Sequence, residues 1–257
     1  MAKEHMSEIN NKYVSRRTAG GLEHRVITLR CRDLPEFVLF PMIHVADRSF
    51  YENVMSNADR CDVVLYEGVK SAAAQSVRKI CESVAKSDGK LTVQPAASQV
   101  IGGRWRVSDI SSDEFKQSWT KIPLRRRLTF YALLFVVRVA MRFIDARKLL
   151  IEPFSSEEVP GNNLESVFGL ELRKILLDKR DATLLSNCEE LIAKNSVNSI
   201  AVVWGAGHIP QLAKSLMLKH GYTVDDAVWF SAIKAESTTE LKGSINVEKN
   251  PQRDTLA

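Results

Sequence analysis

Three apolar runs organise this chain, and each ends on a residue able to do chemistry. The first, Phe37-Val-Leu-Phe-Pro-Met-Ile, leads to His44. The second, Cys61-Asp-Val-Val-Leu-Tyr, ends on Glu67. The third, Ser199-Ile-Ala-Val-Val-Trp-Gly-Ala-Gly, ends on His208. Near-continuous Val, Ile, Leu and Phe over six to eight positions predicts strands covered on both faces, as in a parallel sheet flanked by helices. Between them lie segments with helical spacing: 49–58 through Phe50, Val54 and Met55, 72–85, 164–194 with its leucine repeat, and 209–219. Residues 24–30 alternate as a half-buried strand, and the turn Arg32-Asp-Leu-Pro35 predicts antiparallel pairing with the first run. A last strand is expected over 227–233, and a short one over 90–93 after the turn Ser87-Asp-Gly89.

These elements predict an α/β fold: a central mixed sheet with helices on both faces. The unit formed by 37–44, 49–58 and 62–67 reads as a minimal β-α-β crossover, with Asp47 as cap of its helix. Ser111-Ser-Asp-Glu114 reads as a capping box opening another helix. Residues 1–22 are polar and predict a disordered arm, as does the tail 235–257; the folded domain is expected over 23–234.

One stretch departs from the pattern. Residues 122–150 read as one long, basic, amphipathic helix inserted in the domain, with Arg125-Arg126-Arg127 before an apolar core and Arg138 and Arg142 four apart on one face. Its apolar stretch is shorter than the ~20 residues of a spanning helix. It predicts packing inside the protein or between two copies, or contact of 125–148 with an anionic membrane surface.

Composition changes the picture little. The chain has 257 residues, 45% hydrophobic and 26% charged, with a net charge of +5 and a pI near 9.0. The cysteines at 31, 61, 81 and 188 show no C-x-x-C spacing, which argues against a zinc knuckle or redox pair. The start of the chain has no apolar signal core, so an intracellular, reducing setting is expected. Gly205-Ala-Gly207-His208 could bring backbone amides close to a ligand, but it lacks the third glycine of a dinucleotide fingerprint. No nucleotide is expected. Arg104-Trp105-Arg106 alone is too little to predict nucleic-acid binding.

In an open α/β sheet, ligands bind beyond the carboxyl ends of the parallel strands. His44, Glu67 and His208 therefore become candidates for one polar site. The order His44-x-x-Asp47, Asp62-Val-Val-Leu-Tyr-Glu67-Gly68, Gln94…Trp105…Asp109, Arg180-Asp181 and Gly205-x-x-His208 resembles the TraB/PrgY/GumN family, which includes the TIKI proteases. The resemblance spans roughly residues 25–233 and departs at Pro41, Lys179 and Leu184-Leu185. It implies a fold related to erythromycin esterase-like and ChaN-like proteins, built from two similar α/β halves that each contribute a histidine-ended strand.

It also implies a hydrolase, peptidase- or esterase-like, that activates water with His44, Glu67, Arg180 and His208. One version places a single divalent ion (manganese, zinc or cobalt) on His44, Glu67 and His208; the other uses a histidine as base. Asp47, Gln94 and Asp181 are then supporting residues, and Gly205 and Gly207 form a substrate or oxyanion loop. The expected partner is a small-molecule or peptide substrate. The alternative is a non-catalytic regulator of the same fold that binds a peptide or a membrane partner.

Overall fold

The structure is a computed structural model that describes residues 9–69, 71–140, 143–155 and 173–235. In chain order its elements are α1 (Asn11–Val14), β1 (Ser15–Thr18), β2 (Gly21–Arg30), β3 (Glu36–Met42), β4 (Val45–Asp47), α2 (Arg48–Ala58), β5 (Val63–Tyr66), α3 (Ala72–Asp88), β6 (Leu91–Val93), α4 (Ala97–Val100), β7 (Trp105–Val107), α5 (Ser112–Thr120), α6 (Leu124–Ala140), α7 (Ala146–Ile151), α8 (Lys179–Lys194), β8 (Ser199–Gly205), α9 (Ile209–His220) and β9 (Thr223–Lys234). The fold is α/β, a mixed sheet with helices around it.

The sheet is half parallel and half antiparallel. β3, β8, β5 and β7 lie side by side and all parallel. β2 pairs antiparallel with β3, with β1 and, along its length, with β9. β8 lies between β3 and β5, so the expected crossover from β3 through α2 to β5 skips one strand position. Along β5, Val64 and Tyr66 face one core with Phe40, Phe50 and Val203. Val63 and Leu65 face the other with Trp204, Leu184 and Leu216. Burial on both faces is why these strands read as continuous apolar runs.

The N-terminal expectation is corrected. Within the expected arm, residues 9–22 are built into the fold: Ile9 and Val14 are buried and β1 pairs with the start of β2. A few apolar residues suffice to anchor a segment whose composition is polar. The tail from residue 236 onward lies outside the described residues, as do positions 164–172 of the helix expected over 164–194.

The expected single helix over 122–150 is two helices, α6 and α7, the second opened by Asp145, whose carboxylate accepts the Lys148 N–H. Arg142 lies outside the described residues. The capping box at Ser111 and Glu114 is present.

Asp47 precedes α2, but its side chain makes no cap hydrogen bond. Its oxygens accept from Arg147 Nη2 (3.0 Å) and the Lys234 N–H (2.7 Å). Arg147 also grips Asp88 through Nε and Nη2 (2.7 and 2.9 Å) and donates to the Lys234 carbonyl (2.8 Å). This buried guanidinium joins α7 to the end of α3, to β4 and to β9. Removing one member of a buried ion-pair network leaves its partners charged and desolvated, at a cost of about 3–5 kcal/mol. Arg147→Leu should therefore lower unfolding stability by that amount in urea titrations. A loss below about 1 kcal/mol, the scale of a surface pair, would contradict this role.

Candidate active site

The register of the four parallel strands brings their carboxyl ends level. Met42 is opposite Gly205, Tyr66 opposite Val203, and Tyr66 opposite Val107. His44, Glu67, Asp109 and His208 each follow one of these ends by one to three positions. The two histidines and the glutamate expected to converge do converge, joined by Asp109 and by Arg180 and Asp181 from the first turn of α8.

Arg180 is the hub. Its Nη2 donates to Glu67 Oε1 (2.5 Å) and Asp109 Oδ2 (2.6 Å), and its Nε to Asp109 Oδ1 (3.0 Å). Its Nη1 reaches the Leu176 carbonyl and His208 Nε2, both at 3.5 Å. Below lies the Trp204 ring, 5.2 Å from the guanidinium carbon. A π-helical turn, Lys174–Asp178, runs directly into α8. Its extra residue per turn changes which side chains face the strand ends.

Burial pushes the Glu67 carboxyl upward, but the charge of Arg180, helped by His208 and His44, outweighs it and holds the group at about 2. The Arg180 guanidinium is pushed up in turn; burial works against it, and Glu67 and Asp109 overcome that. The other Glu67 oxygen accepts the Gly205 N–H at 2.7 Å. That amide, expected to face a substrate, is thus committed to Glu67. A Cβ on Gly205 would lie 3.2 Å from Glu67 Oε2, so the strand end is shaped around the carboxylate. A Cβ on Gly207 would meet nothing within 4 Å.

The two histidines are held differently. His208 is buried, with Nδ1 against Asp181 Oδ1 (2.5 Å) and its ring edge-on to Trp204. His44 is exposed on the cavity wall, and the short antiparallel pair β4–β6 sets Gln94 beside it, with the Gln94 N–H donating to the His44 carbonyl (3.0 Å). Tyr66 gives its hydroxyl proton to the Pro95 carbonyl (2.7 Å) and accepts from Gln94 Nε2 (3.4 Å). That orients Gln94 Oε1 toward His44 Nδ1 (3.3 Å). An amide oxygen only accepts, so Nδ1 carries a proton, and in the neutral ring the lone pair is on Nε2.

His44, Glu67 and Arg180 line a cavity of about 420 Å³. Val77, Phe115, Trp119, Phe130 and Leu176 give it apolar lining, and Ser71, Gln75, Arg78, Gln94 and Ser98 add polar groups.

In this arrangement two of the three expected metal ligands, Glu67 and His208, are engaged by protein groups. Both Glu67 oxygens are engaged, and His208 Nε2 faces a guanidinium, so a second cation would have to share the space of Arg180. Among the described residues, no group of three His, Cys, Asp or Glu side chains is disposed to hold a metal.

Asp47 belongs to the Arg147 network instead. Asp109, which reads only as the end of a motif, is the largest addition to the site. Its strand, β7, is three residues long and gives little periodic signal.

No protein-family model, characterised protein or solved structure matches this chain.

Glu67 contributes stability that is complete above its ordinary value of 4.5 and is lost as pH falls toward about 2. The wild-type melting temperature should drop across that window, and Glu67→Gln should flatten the slope. Identical slopes would show that Arg180 does not hold the carboxylate ionised.

Proposed function

We propose that this protein is a hydrolase of the TraB/PrgY/GumN kind that activates water with His44 and without a metal. The observation that carries the reading is His44 Nε2. The Tyr66–Gln94 relay sets an acceptor against Nδ1, so in the neutral ring the lone pair is on Nε2, in a cavity that Glu67 and Arg180 also line.

In this mechanism, water gives a proton to His44 Nε2 as its oxygen bonds to a carbonyl carbon. The developing oxyanion turns to Arg180 Nη1, whose two present contacts, at 3.5 Å, are its longest and weakest. Glu67 and Asp109 keep the guanidinium in place, and Asp181 and His208 brace its other edge. Collapse of the intermediate breaks the bond to the leaving group, which takes the proton from His44. The apolar lining suits an ester or amide with a hydrophobic acyl group or side chain.

One observation favours a second reading, a non-catalytic binding protein: Arg180 is already engaged by Glu67, Asp109, Leu176 and His208. In that case the cavity binds an apolar ligand without turnover.

The test is hydrolysis of p-nitrophenyl esters of graded chain length and of chromogenic peptide amides, with and without chelator. Wild-type turnover should survive chelation. His44→Gln should lower kcat about 10²–10⁴-fold with an unchanged melting temperature. Turnover that needs an added divalent ion, or full activity in His44→Gln, would overturn the mechanism. No turnover on any substrate would favour the binding protein.

A further inference from the structure

Helix α6 has two apolar faces, and only one is used by the fold. Phe130 is buried, sits edge-on to Trp119 at 5.3 Å and lines the cavity. Leu124, Leu128, Phe135 and Val139 are spaced by four, seven and four residues, which places them along one ridge. They are 62%, 59%, 67% and 41% exposed, and Phe143 beyond the helix is 84% exposed. This is a contiguous outward ridge rather than scattered surface leucines.

Charge decides what covers it. From Lys121 to Ile144 there are six Lys or Arg residues and no Asp or Glu. At 100° per residue, Arg125 and Arg138 fall on opposite flanks of the ridge. Among the described residues, neither has a carboxylate partner. A second copy docking isologously would bring the same basic segment of each copy together, with no acidic residue in either to offset the arginines. An anionic bilayer surface supplies what both features require. Its acyl boundary takes the leucine and phenylalanine ridge, and its headgroups take the flanking guanidinium groups. No described helix is long and apolar enough to cross a membrane; at about 25 Å, α6 is suited to lie along its surface.

We propose that the outer face of α6, with Phe143, docks onto anionic phospholipid membranes. The docked helix also carries Phe130, so one element would connect the membrane surface with the cavity wall.

Co-sedimentation of the full chain with vesicles tests this. The protein should pellet with phosphatidylcholine vesicles containing phosphatidylserine and stay in solution with phosphatidylcholine alone. Binding should weaken at high salt. The double variant Leu128→Ser, Phe135→Ser should lose binding while keeping the wild-type circular dichroism spectrum and melting temperature, because both side chains are exposed. Arg125→Ser and Arg138→Ser should each weaken binding about fivefold. Wild-type protein that stays in solution with the anionic vesicles would overturn the proposal. So would a dimer on size exclusion that the double variant converts to monomer, which would give the ridge to a second copy.

Discussion

The candidate site depends on one guanidinium placed between two largely buried carboxylates. Glu67 and Asp109 leave neighbouring parallel strands, and their side chains are 10% and 0% exposed. Two buried carboxylates need a shared cation to offset their desolvation and mutual repulsion. Arg180 meets both, and its planar fork suits Asp109 through two parallel bonds. α8 must therefore dock so that its first turn faces the strand ends, and the π-helical turn before it provides the rotation. Asp181, the next residue, then meets His208. The helix start thus fixes the partners of two carboxylate strands and of one histidine strand together.

That arrangement separates the two histidines chemically. His208 lies between Asp181, Trp204 and Arg180, with both ring nitrogens facing protein. His44 stands at the cavity and, among the described residues, only its Nδ1 is engaged by a side chain. Residues that look equivalent along the chain take unequal positions, one bracing Arg180 and one facing open space.

The parts of this fold legible in the sequence are those with long, uniform patterns. β3, β5 and β8 are buried on both faces, so their composition alone announces them, and the residues after them stand out as strand-end chemistry. The capping box at Ser111 is equally readable because its two residues satisfy each other locally. What escapes the sequence depends on partners far apart along the chain. Asp47 reads as a nearby helix cap because its true partner, Arg147, is 100 positions away. Asp109 follows a strand of three residues, too short for periodicity. Gly205 reads as a loop open to substrate, although its amide serves a carboxylate 138 positions earlier. Gln94 stands out only through a motif, whereas its place beside His44 comes from the small β4–β6 pair, which no periodicity reveals.

Whether His44 can be the base is decided most directly by the tautomer of each histidine in protein labelled with ¹⁵N-histidine, read from long-range proton–nitrogen correlations. His44, when neutral, should carry its proton on Nδ1 and present a bare Nε2 to the cavity. A His44 protonated at Nε2 would contradict this, because the Tyr66–Gln94 relay would then run the other way and the cavity would have no base.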